Sequence, residues 1–187
     1  IAYTNVKDIS ALVDQNKREE AYVRALATEY DSIAIVGISS DEKQNDRVLI
    51  HGRLTERLSA LIDTETASET NYSKKLDLML RFVHPDDREQ FRAETRREKV
   101  LQACNEGRTP VVNFRIVTKF DDYFYYQLCF VPLRDETGKV TSVVAGMKDV
   151  DNEVRKEMND RRELEEARHA AETASRAKTS FLFNMSH

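Results

Sequence analysis

The chain has 187 residues, a third of them charged, and a formal net charge of −4. That length supports one domain with a real core, and the excess of charge points to additional exposed helix rather than a second core. No Lys/Arg block dominates, so nothing argues for nucleic acid or an anionic membrane as a partner. No apolar run is long enough to span a bilayer. The only cysteines, Cys104 and Cys129, have no metal-like spacing. They argue against a disulfide framework, fit a reducing cytoplasm, and leave no metal site to expect. The chain starts at Ile1 rather than Met and stops within a helical pattern at His187, so it is expected to be a cytoplasmic piece of a longer protein.

Three zones follow one another. In residues 1–30, Ile9, Leu12, Asn16, Val23, Leu26 and Tyr30 form a heptad-like seam interrupted by Glu19. Asn16 takes an a position, where a polar residue fixes register at some cost in stability. The seam suits an N-terminal signalling coiled coil and equally a helix packed on its own domain.

The second zone, residues 31–151, mixes strands and helices. Ser32–Ile38 and Arg47–His51 are short apolar runs, separated by a polar loop. Leu54–Ile62 has helical spacing, Asp63–Tyr72 reads as a loop, and Lys74–Val83 is helical again. His84-Pro85 starts a helix, since proline suits the first helical position. Asp86 and Asp87 complement its dipole. That helix is expected to reach Glu106, with Gly107 just past its end. Three alternating strands come next: Val111–Thr118, Tyr123–Val131 and Val140–Lys148. Short turns between them imply an antiparallel meander. The order predicts an α+β fold with helices on one face of the sheet.

The third zone, residues 152–187, contains no Pro or Gly. Asp151 is a candidate N-cap, and the helix would be roughly 50 Å long. Leu164, Ala167, Ala171, Ala174, Phe181 and Met185 form a narrow seam that Lys178 interrupts. So thin a stripe needs a partner helix. A parallel homodimer is predicted, with an intramolecular partner helix as the alternative.

Phe82-Val83-His84-Pro85-Asp86-Asp87-Arg88, the meander, and the closing run Gly146-Met147-Lys148-Asp149-Val150-Asp151 together resemble a PAS domain. The resemblance covers about the middle two-thirds of the chain. PAS domains often end in Asp, an aliphatic residue and Thr before an output helix. Asp149 and Asp151 therefore match the signal-transfer positions, with Asp151 in place of Thr. The usual Trp of the second meander strand is absent, and Tyr123, Tyr125 and Tyr126 stand there instead.

The run Ala174-Ser175-Arg176-Ala177-Lys178-Thr179-Ser180-Phe181-Leu182-Phe183-Asn184-Met185-Ser186-His187 resembles the dimerisation helix of bacterial sensor histidine kinases, hybrid forms included, up to the phospho-acceptor box. The resemblance implies that His187 is the phospho-acceptor. Histidine is substantially neutral and nucleophilic near pH 7. Counted from Met185 at an a position, His187 falls at c, outside the seam. ATP and Mg would belong to a separate kinase catalytic domain, acting in cis or in trans, because phosphoryl transfer needs a phosphate cradle and a metal and this chain has five glycines and no Gly-rich loop. A response regulator receiver domain is the further partner implied.

The sensing ligand is not named by the sequence. His51 sits beside a glycine at a strand end, His84 is explained by its helix start, and Cys104 lacks the Asn-Cys-Arg setting of photoactive flavin PAS domains. The aromatic residues Phe114, Phe124, Tyr126 and Phe130 read as core. The competing class is a PAS interaction module that holds a dimer and has no ligand of its own. A PAS domain feeding a cyclic-dinucleotide synthase is disfavoured by the Phe181–His187 box.

Overall fold

A computed structural model describes residues 30–38, 46–51 and 54–187. The predicted N-terminal seam, apart from Tyr30, lies outside the described residues. The chain divides after Asp149 into a sheet domain and a helical unit, Val150–His187.

The sheet domain is built from β1 (Ser32–Gly37), β2 (Arg47–His51), α1 (Glu56–Leu61), α2 (Thr64–Ser68), α3 (Tyr72–Met79), a 3-10 turn (Pro85–Asp87), α4 (Arg88–Thr95), α5 (Arg97–Asn105), β3 (Val111–Val117), β4 (Tyr123–Arg134) and β5 (Val140–Asp149). The strands form one sheet in the order β2-β1-β5-β4-β3, and every neighbouring pair is antiparallel. The predicted meander is present, and its last strand pairs with the first strand of the domain. Ala34 faces Ala145, and Phe114 faces Tyr126.

Side chains alternate across a strand, and this sorts the meander. Val112, Phe114, Ile116, Tyr126, Leu128, Phe130, Val143 and Met147 meet Leu58, Met79, Phe91 and Val100 from the helices in one core. The α+β expectation, with helices on one face, is met. Ile33, Ile35 and Val144 form a second buried cluster with Tyr30 and Leu133. Strand β1 is therefore buried on both faces, which is why its sequence is a continuous apolar run instead of an alternation. Gly146 belongs to this tight packing: a Cβ there would lie 2.8 Å from Cδ1 of Tyr30.

Two expectations are corrected. Within the stretch read as a loop, Thr64–Ser68 is a helix whose N-cap, Asp63, accepts the Thr66 N–H at 2.8 Å. It is a single short element with one buried residue, Thr66, so it offers no apolar period to detect. The long helix expected up to Glu106 is broken at Arg96, whose backbone is extended at φ −55°, ψ 135°. Phe91 and Val100 lie about two and a half helical turns apart, so on an unbroken helix they would face opposite ways. The break lets both enter the core, where each is 1% exposed. The Thr95 carbonyl at the break accepts the Tyr72 hydroxyl at 2.6 Å. Gly107 ends α5 at φ +78°, as expected for a residue just past a helix.

The helical unit is α6, Asp151–Met185, 35 residues without interruption. Asp151 is not its N-cap. Val150 takes that position without a side-chain cap, and Asp151 is the first helical residue, paired with Arg155 at 2.8 Å. A carboxylate in the first turn still complements the helix dipole. Among the described residues, no helix is long and apolar enough to cross a membrane.

Candidate functional site

The end of α6 carries the box. Phe181, Leu182, Phe183 and Met185 lie in its last turns, each more than half exposed. Ser186 is the C-cap: its N–H reaches the Leu182 and Phe183 carbonyls at 3.2 Å, and its hydroxyl donates to the Leu182 carbonyl at 2.9 Å. His187 follows Ser186 as the last residue of the sequence. The exposed imidazole keeps the four-residue relation to Phe183, with ring centroids 4.8 Å apart. Leu164 and Met185, two seam positions, are about 70% exposed: 70% and 72%.

The end of β5 carries Asp149. Its N–H donates to Oδ2 of Asp31 at 2.6 Å, and its Oδ2 meets Nη1 of Arg57 at 2.6 Å. Oδ1 of Asp31 accepts the Thr55 hydroxyl at 2.7 Å, and the Asp31 carbonyl accepts the Thr55 N–H at 2.8 Å. The Arg57 guanidinium also lies 4.3 Å over the Phe124 ring. One junction thus fastens the start of β1, the start of α1 and the end of β5. Asp149 was singled out by the sequence; Asp31, Thr55 and Arg57 were not, because their sequence separations carry no local pattern.

The other candidates have structural roles. His84 caps the 3-10 turn, with Nδ1 accepting the Asp86 N–H at 3.3 Å, and its own N–H donates to the Arg115 carbonyl at 2.9 Å. Asp87 does more than complement a dipole. It takes the Arg115 guanidinium through both oxygens, at 2.7 and 2.8 Å, and the Arg115 N–H at 2.9 Å. Those hydrogen bonds hold its carboxyl below the usual carboxylate range. Burial pushes the Cys104 thiol up. Nothing is described of the His51 side chain.

The interior holds a cavity of about 70 Å³, whose lining includes Tyr72, Lys75, Phe91, Phe130 and Met147 and neither His84 nor Cys104. Lys75 donates to the Ala67 carbonyl at 2.7 Å, and burial lowers its pKa. Among the described residues, no three His, Cys, Asp or Glu side chains cluster as a metal set.

No curated protein matches the chain. Among solved structures, a sensory box histidine kinase/response regulator from Burkholderia thailandensis is similar at 19% identity and a TM-score of 0.47, over 79% of this chain and 98% of that one. The N-terminal domain of a diguanylate cyclase with PAS/PAC sensor from Marinobacter aquaeolei is 16% identical, with a TM-score of 0.44 over 65% and 96%. The PAS domain of the fruit-fly ELK potassium channel is 12% identical, with a TM-score of 0.45 over 71% and 96%. Residues 67–146 match the family model described as the PAS fold, and the sheet domain is PAS-like.

Proposed function

We propose that the chain is the sensory and relay portion of a two-component sensor histidine kinase. In this reading, an altered packing of the PAS-like domain reaches the output helix through Asp149 and Asp151 and changes the access of a catalytic domain to His187. Such a shift requires a differential interaction on the order of a few kcal/mol. The imidazole nitrogen would attack the γ-phosphorus of ATP. An N–P bond forms, the P–O bond to ADP breaks, and the imidazole loses its proton to solvent.

The observation that carries the reading is the unbroken α6, which starts two residues after Asp149 and ends in a box similar to that of phospho-acceptor helices. The test is incubation of the full-length protein with labelled ATP. Label should enter the wild type and be lost in His187→Gln. Label that persists in the variant sinks the acceptor assignment.

One observation favours a second reading, an interaction module without a ligand of its own. The interior cavity of about 70 Å³ is several-fold smaller than the ~300–1,000 Å³ of small-molecule sites. It has room for about two waters. Native mass spectrometry of the purified chain separates the readings, since a retained small molecule opposes the second.

A further inference from the structure

Phe183 is an exposed aromatic residue that the predicted seam does not use. With Met185 at an a position, Phe181 falls at d and Leu182 at e, in or beside the seam. Phe183 falls at f, on the opposite side of α6. It is 65% exposed, and a parallel partner helix along the seam would leave it so. Apolar area that stays in water adds nothing to stability through burial, so the seam does not explain this side chain.

The ring contact with His187 does. Residues four apart on a helix surface are neighbours, and the two rings stand 4.8 Å apart between centroids at an interplanar angle of 63°. Edge-to-face aromatic pairs are found at ~4.5–7 Å. The hydroxyl of Ser186, next in sequence to the imidazole, is turned back onto the Leu182 carbonyl at 2.9 Å. A free exposed histidine samples about three χ1 wells with about two ring orientations each, or roughly six arrangements. A ring partner on one side selects among these and leaves the remainder of the imidazole open to solvent.

We propose that Phe183 is the positioning residue of the phospho-acceptor: its ring holds the His187 imidazole in one arrangement, from which a nitrogen meets the γ-phosphorus of ATP. The proposal rests on the acceptor reading above. The N–P bond still forms, the P–O bond to ADP still breaks, and the imidazole proton still goes to solvent. Phe183 acts through His187 alone, by raising the fraction of imidazoles already aimed for attack.

The test has two arms. The first is NMR of the intact chain labelled at its histidine rings. The His187 signals, identified by their loss in His187→Gln, should move in Phe183→Ala and return in Phe183→Tyr, which keeps the ring. Alanine is the best helix former, so this truncation does not weaken α6. The second arm uses the full-length protein with labelled ATP. Phe183→Ala should slow the labelling of His187 by about three- to six-fold with the KM for ATP unchanged, and Phe183→Tyr should restore the rate. Identical His187 signals in wild type and Phe183→Ala overturn the proposal, as do equal labelling rates. So does a loss that tyrosine fails to restore, one that lies in KM, or one accompanied by a weaker dimer in sedimentation. A wild type that takes no label sinks the acceptor reading itself, and the proposal with it; equal rates in a labelled wild type and Phe183→Ala sink the positioning role alone.

Discussion

The Asp31 carboxylate accepts the backbone N–H of Asp149 at 2.6 Å across 118 residues of chain. No ladder hydrogen bond could make this link, because it joins the residue before β1 to the last residue of β5 through a side chain. The same carboxylate takes the Thr55 hydroxyl. Asp31→Ala leaves two donors without their acceptor, and each unsatisfied, part-buried donor costs about 1–3 kcal/mol. Urea denaturation should show a loss of at least about 1 kcal/mol. Arg57→Gln should cost less than about 1 kcal/mol, because Arg57 is 45% exposed in its pair with Asp149. Equal costs would mean that the ion pair, and not Asp31, holds the junction.

The Asp87–Arg115 pair sets an acid limit on stability. Both side chains are about one-fifth exposed, 20% and 21%, and Asp87 titrates below its usual range because the Arg115 guanidinium and N–H donate to it. A depressed folded pKa stabilises the fold fully above the unfolded value of about 3.9. That contribution disappears as pH falls through the lower folded value. Asp87→Asn should therefore cost about 1.5–3 kcal/mol at pH 7 and less at about pH 2, below the unfolded value. Chemical denaturation of both proteins at the two pH values checks the difference; a cost independent of pH removes the carboxylate charge from the explanation.

Gly146 tests the outer cluster. A methyl group there would meet the Tyr30 ring at 2.8 and 2.9 Å and Sγ of Cys129 at 3.3 Å. Gly146→Ala should destabilise by about 1–3 kcal/mol, the usual range for overpacking. In a Tyr30→Ala background the same change should cost much less, and the double-mutant cycle measures the coupling. Absence of coupling would place the strain elsewhere.

Much of this fold was legible in the sequence where one physical signal dominated. The alternation in Val112, Phe114 and Ile116 gave a strand with one buried face, and β3 has that pattern. Gly107 marked a helix end, and its positive φ explains why. What stayed illegible depended on tertiary contacts. The break at Arg96 has no Pro or Gly to announce it; only the incompatible facing of Phe91 and Val100 on one helix signals it. Asp151 has the residue type of an N-cap, yet Val150 takes that place, because side-chain identity alone does not fix boundary dihedrals. Asp149 was found through a motif, whereas Asp31 and Arg57 converge on it only once the sheet closes.

The exposed stripe of α6 leads to the last prediction. A free helix of 35 residues that leaves Leu164, Phe181 and Met185 70%, 61% and 72% exposed keeps apolar area in water along its whole length. Burying one such side chain stabilises by about 1.5–3 kcal/mol. A second copy of α6 in parallel would place each of these residues beside its own counterpart, so every burial counts twice. The intact chain should therefore sediment as a dimer at micromolar concentration. Phe181→Glu should weaken association by about ten-fold or more, since the symmetric seam then brings two carboxylates together as well as losing apolar burial. Glu166→Gln, outside the predicted seam, should leave the dimer unchanged. Sedimentation equilibrium separates the outcomes: a monomer at every concentration rules out the homodimer, and equal dissociation constants for wild type and Phe181→Glu place the interface away from this stripe.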